Sequence, residues 1–363
     1  MILNRISGLS KRLHRILISR WRKDIYYVTD KASWSFDWDA YYITAGLRER
    51  LGLRAHVINN PWGLRKQILH FGNRYAYLNG PFRSLHPSNH VFLTWFHGDP
   101  ADPNPNMQRL FAVLPEAVGY VQKIVVTGQI SRQVLVELGI PETKIATIPL
   151  GVDLARFSPP TEEFRLSVRA SLGIPEDAVC IGSFQKDGAG WEEGLEPKLV
   201  KGPDVFLEVV ANLSARYNNL LVLLTGPARG YVKQGLERLG VPYIHHFLSD
   251  YHDIVHYYQA LDLYIITSRS EGGPKALLES WATGVPVVST QVGMPADLIK
   301  HDENGMLAEV EDVRSLTNHA MELIEDAALR ERCRRQALED VRQYDWPLIA
   351  ERYYHELYQP FLR

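Results

Sequence analysis

The sequence predicts an α/β protein of two doubly wound domains, each built on a parallel sheet, facing each other across a cleft. Short apolar runs alternate with helix-period segments through most of the 363 residues. The alternation halts at the Pro- and Gly-rich stretch "IPLGVDLARFSPP" (148–160) and then restarts. The length suits roughly two domains. The expected division is 1–150, 151–345 and a closing helix, 346–363, that packs back on the first domain.

Taken in order, residues 1–23 carry seven Lys/Arg and no acid. Ile2, Ile6, Leu9, Leu13 and Ile16 make one apolar stripe on a helix, and the interspersed bases rule against a secretory signal. Such an arm suits peripheral contact with an anionic membrane surface, or packing on its own domain. "DIYYVTD" (24–30) and "RAHVIN" (54–59) read as strands around the helix "DAYYITAGLRERLG". "HVFLTWFHG" (90–98), "KIVVTG" (123–128) and "KIATIPLG" are further strands, with "ISRQVLVELG" a helix closed by Gly139.

Beyond the linker, strands are expected at 178–184, 219–226, 241–247, 261–268 and 284–290. Helices "GPDVFLEVVANLSARY", "GYVKQGLERLG", "DIVHYYQA" and "KALLESWAT" alternate with them, and "VRSLTNHAMELIED" and "AALRERCRRQALEDVRQY" follow. A doubly wound domain binds its ligand outside the strand C-termini.

The composition, 45% hydrophobic and 23% charged with net charge −2, is that of a globular chain and gives no electrostatic ground for nucleic-acid binding. Two distant cysteines, Cys180 and Cys333, argue against a disulfide framework or a zinc site and fit a reducing, cytoplasmic setting, at most peripheral at the inner face of the membrane. No apolar run approaches the ~20 residues that cross a bilayer.

The stretch with the most chemistry is "SRSEGGPKALLES" (268–280), where a strand hands over to a helix opened by Pro274 and ended by Gly284. Gly272 and Gly273 let backbone amides approach a ligand, and the helix N-terminus with Lys275 favours phosphate. A carboxylate there repels phosphate, so Glu271 and Glu279 should accept from neutral hydroxyls. Diphosphate flanked by polyols describes a nucleotide sugar. Alone, the spacing also fits a helix cap and a solvated helix face.

With its surroundings, the chain resembles family 4 of the retaining GT-B glycosyltransferases. The resemblance rests on "SRSEGGPKALLESWATGVPVVSTQVG" with its E-x7-E spacing, on "IPLGVDLARFSP" and on "DENGML" (302–307), and it covers the chain from about Val91 onward. It implies two Rossmann-like domains and transfer of a sugar from a nucleoside diphosphate sugar to an acceptor hydroxyl, with retention and with no metal or other cofactor. The acceptor would be a glycan, a lipid-linked glycan or a small molecule. Glu279 would hold the donor ribose, Glu271 the transferred sugar and Lys201 the diphosphate, with Gly272 and Gly273 near diphosphate or sugar. His97, at a strand end, would contact the donor sugar, with Asp99 either orienting it or serving a turn.

The family's usual base after the first strand of the second domain is replaced by Ser183 in "CIGSFQKDG", leaving Lys186 or Lys198 to supply the charge. "GAGWEEG" lacks the spacing of a dinucleotide fingerprint. "DWDA" (37–40) has metal-motif spacing but lies in the wrong half for this fold. The aromatic segment 30–42, read as a loop, places Trp34, Phe36 and Trp38 where they either line an acceptor site or anchor the loop in the core. Asp37 and Asp39 are candidate acceptor bases. Two other readings stay open: a nucleotide-sugar epimerase, and a non-catalytic nucleotide-sugar or glycan binder.

Overall fold

The structure, a computed structural model, describes residues 23–30, 35–80, 82–102 and 104–362. The basic arm up to residue 22 and Trp34 lie outside the described residues. Two all-parallel six-stranded sheets form the frame. The first runs β2-β1-β3-β4-β5-β6, with β1 Ile25–Val28, β2 Ala55–Ile58, β3 Ile68–Phe71, β4 His90–Thr94, β5 Lys123–Val126 and β6 Ile145–Thr147. The second runs β12-β11-β10-β7-β8-β9, with β7 Val179–Ser183, β8 Leu220–Thr225, β9 Tyr243–His246, β10 Leu263–Ile266, β11 Val287–Thr290 and β12 Met306–Ala308. The expected pair of doubly wound domains is present.

Helices on both faces explain why these strands are near-continuous apolar runs. Every residue of β8, "LLVLLT", is buried, as is every residue of β3, "ILHF". In each sheet the strand order reverses once, between β1 and β3 in the first and between β7 and β10 in the second. Such a reversal opens a crevice at the strand C-termini.

Several elements differ from expectation. β3, β12 and the helices Pro105–Ala117 and Glu162–Leu172 were not anticipated. Segment 30–42 is a loop only in part, because the first helix among the described residues already begins at Ser35 and runs to Glu49. Asp37 and Trp38 therefore sit in its opening turn, where an acid near a helix N-terminus is favoured.

The closing segment, which includes the helix Trp346–Tyr353, lies against the first domain. Trp346 stacks on Tyr42 with ring centroids 5.5 Å apart, and Arg50 pairs with Glu351 at 2.7 Å. Tyr358 hydroxyl meets Nδ1 of His70 at 2.5 Å, while Nε2 of the same ring meets Thr94 Oγ1 at 2.8 Å. His70 has no exposed surface, and burial lowers its pKa to about 3, so it is neutral at physiological pH. Among the described residues no helix is long and apolar enough to cross a membrane.

Candidate active site

The second domain's crevice is built by the segments that leave β7 and β10. Lys201 ends a short 3-10 turn, Leu199–Lys201, and is followed by Gly202 at φ +62°. A Cβ on Gly202 would stand 1.9 Å from the Thr267 carbonyl oxygen, so only glycine lets the chain pass this close to the end of β10. Gln185 Nε2 donates to the Lys201 carbonyl at 2.9 Å, and Thr267 Oγ1 to the Gly202 carbonyl at 2.8 Å. These bonds fix the backbone beneath the Lys201 side chain.

The Lys201 ammonium pairs with Glu271 Oε1, which also accepts from Ser268 Oγ at 3.1 Å. Glu271 is 8% exposed. Burial pushes its pKa up, but Lys201, His97 and Ser268 outweigh burial and hold the carboxyl below its ordinary range. Oε2 has no hydrogen-bond partner among the described residues, which leaves it to receive a ligand hydroxyl.

His97 follows β4 and faces this pair from the first domain. Its pKa is lowered to about 3, first by burial and then by the charge of Arg74, against the pull of Glu271. The ring is thus neutral, and it makes no hydrogen bond among the described residues. Asp99 does not orient it: Asp99 Oδ1 accepts from Ala101 N at 2.8 Å and serves the turn.

Glu279, on the helix Lys275–Thr283, is 4% exposed. Its Oε1 accepts from Tyr251 and its Oε2 from Tyr258 at 2.7 Å. Burial raises its pKa despite the two phenols. Each oxygen keeps a second lone-pair direction for a ligand hydroxyl.

Other expected residues lie differently. Lys275 Nζ is 2.6 Å from Asp39 Oδ1, an ion pair across the cleft. This engages both the charge expected at phosphate and a candidate acceptor base. Burial raises the Asp39 pKa against Lys275. Trp38 stacks on Tyr251 at 5.3 Å, so its ring lies between the domains. Ser183 is buried, and its hydroxyl takes Arg229 Nη2 at 3.2 Å.

Arg229, with no exposed side-chain surface, also pairs with Asp187 at 3.0 Å and pins the long loop after β7. Within that loop Lys186 Nζ lies 3.7 Å over the Trp191 ring. Burial first, then the charge of Lys201, lowers the Lys198 pKa, and Glu271 opposes the shift. Lys198 feels the charges of both Lys201 and Glu271, yet the residue is exposed.

Gly272 lies at the contact between the domains. A Cβ there would lie 2.2 Å from the Phe96 carbonyl oxygen of the first domain. Its smallness serves domain contact. Gly273 faces Met294 Sδ and Leu150, which a Cβ would meet at 2.7 Å and 3.1 Å. Tyr251, Tyr258, Gln185 and Arg229 were missed; nothing in their spacing marks them, since each contact is made by the fold.

Residues 195–340 match the family model described as glycosyl transferases group 1. A D-inositol 3-phosphate glycosyltransferase of Corynebacterium urealyticum is 29% identical over 224 residues, 58% of this chain and 50% of that protein. The chain spans about half the length of the curated relatives it matches. An Anabaena protein solved with UDP-glucose superposes with TM-score 0.74 at 17% identity, over 93% of this chain and 100% of that one. Sucrose-phosphate synthase from Thermosynechococcus elongatus gives TM-score 0.76 at 15% identity, over 94% and 99%. The structural likenesses show the fold, which is GT-B.

Proposed function

We propose that this protein moves a sugar from a nucleoside diphosphate sugar to an acceptor hydroxyl, as a family 4 enzyme acting with retention. The observation that carries the reading is the Lys201–Glu271 pair at the second domain's strand-order reversal, faced by a neutral His97. The match of residues 195–340 to the group 1 glycosyltransferases supports it, as does the likeness to a fold solved with UDP-glucose.

In this reading Glu279, steadied by two tyrosines, receives the ribose hydroxyls. Glu271 Oε2 receives a hydroxyl of the transferred sugar. The Lys201 ammonium, with Lys198 beside it, turns to the diphosphate as negative charge develops there. The bond from the anomeric carbon to the leaving phosphate oxygen breaks, and a bond to the acceptor oxygen forms on the same face. The acceptor proton passes to the leaving phosphate. His97 is neutral and so acts as a hydrogen-bonding group to the donor sugar, without a charge of its own.

A thermal-shift screen of UDP-, GDP-, ADP- and dTDP-sugars tests the proposal. One nucleotide series should raise the melting temperature, and Glu279→Gln should abolish that rise. If no nucleotide sugar stabilises the protein, the reading fails. Product analysis without acceptor separates transfer from epimerisation, since only an epimerase converts the donor sugar alone.

A further inference from the structure

Arg74 follows β3 at the first domain's own strand-order reversal, between the segment leaving β1 and His97 beyond β4. It is 5% exposed. Among the described residues no carboxylate lies within ion-pair distance of its guanidinium. Among these residues its Nε has no hydrogen-bond partner, and Nη2 reaches only the Tyr75 hydroxyl, at 3.5 Å. The guanidinium lies 5.0 Å from the ring centre of Trp95 and 5.1 Å from that of Tyr75. The Trp95 indole N–H is a second buried donor without a partner.

A buried cation lacking a counter-ion is costly, and stacking on aromatic faces offsets only part of that cost. The uncompensated remainder falls at the place where a doubly wound domain binds ligands. The charge is close enough to the reaction centre to be the second cause, after burial, of the low His97 pKa. Among the described residues Asp102 makes no ion pair with Arg74, and its charge is the least of the influences on it.

We infer that Arg74 is the counter-charge of an oxyanion on the acceptor, so that the molecule receiving the sugar carries a phosphate or carboxylate near its accepting hydroxyl. This rests on the transferase reading for the word acceptor; the anion site itself does not. A planar guanidinium whose Nε is unpartnered and whose Nη2 makes only a long bond to Tyr75 suits two oxygens of one such group. Arg74 is carried by the first domain, whereas Lys201 and Glu271 belong to the second.

The test is calorimetric titration of inorganic phosphate, and separately of acetate, onto protein saturated with the nucleoside diphosphate found by the screen. Wild type should bind one of them, and Arg74→Gln should bind it about tenfold more weakly or worse, with nucleotide affinity unchanged. Phosphate-only binding points to a phosphate ester, acetate binding to a carboxylate. Equal anion affinity in both proteins, or no anion binding by wild type, overturns the inference. If Arg74→Gln does not fold, Arg74→Lys takes its place, expected to bind the anion more weakly than wild type, and equal affinity again overturns the inference. If no nucleotide binds, the donor reading fails, and the titration without nucleotide still decides the role of Arg74.

Discussion

At the scale of single residues, the ion pair of Lys201 with Glu271 carries the sharpest consequence. Replacing Lys201 by Met leaves a buried carboxylate without its ion-pair partner, which should cost about 3 kcal/mol of stability at neutral pH. The loss should depend on pH in a defined direction. In wild type the folded pKa of Glu271 lies below its ordinary 4.5, so its contribution is present above that value and fades as pH falls through the folded value. In Lys201→Met, burial dominates and raises the folded pKa, so the variant's carboxylate becomes a liability that protonation relieves. Thermal melts of the two proteins should therefore diverge most near pH 7 and converge toward pH 4; a constant gap would mean that the pair is not what Lys201 stabilises. Turnover makes a second residue-scale prediction. With the His97 pKa near 3, the rate between pH 6 and 8 should show no inflection from this ring, and His97→Ala should lower the rate without changing the shape of that profile. Glu271, Glu279, Lys201 and His97 were singled out in the sequence through the resemblance to family 4, because their spacing alone also fits a helix cap, a solvated helix face and a turn. Arg74, Tyr251 and Tyr258 were not, because their significance lies in what surrounds them: a guanidinium without an acid, and two phenols converging on Glu279 from separate turns.

At the scale of elements, the strands of the second domain stood out because four of them, β7, β8, β10 and β11, are largely apolar runs bounded by turn residues. β3 did not, since "ILHF" is only four residues with a histidine inside it, and histidine in a core strand becomes tolerable only once Tyr358 and Thr94 meet its two nitrogens. The helix Pro105–Ala117 was obscured by an internal Pro115, and β12 by its length of three residues. The His70 contact joins β3 to the end of the chain, and it should make that junction acid-sensitive. A histidine held neutral in the fold, with a pKa of about 3, contributes stability that is present above the unfolded value of 6.5 and lost as pH falls toward 3. The slope is about 1.4 kcal/mol per pH unit for one such group in that window. His70→Asn should flatten the fall of melting temperature between pH 6.5 and pH 4.5 relative to wild type; an unchanged slope would place the acid sensitivity elsewhere.

At the scale of the whole molecule, two sheets present their strand C-termini to each other, and the contacts between them are made by the same segments that carry the chemistry. Lys275 reaches Asp39, Trp38 stacks on Tyr251, and Gln129 N donates to Asp297 Oδ2 at 2.7 Å. Gly272 lies against the Phe96 carbonyl, one residue from Glu271 on one side of the contact and one residue from His97 on the other. A methyl group at position 272 would stand 2.2 Å from a backbone oxygen that cannot swing aside, so the domains must part to admit it. Glu279, Tyr251, Tyr258 and Lys201 all belong to the second domain and move as one. Gly272→Ala should therefore leave nucleoside diphosphate affinity close to wild type while separating His97 from the donor sugar. A displacement of about 1 Å between reacting groups lowers turnover by roughly 100-fold. Calorimetry and steady-state rates on the same preparation test this. Full activity in Gly272→Ala would show that catalysis does not need the domains this close, whereas equal loss of nucleotide binding and turnover would place the damage within the second domain instead of between the two.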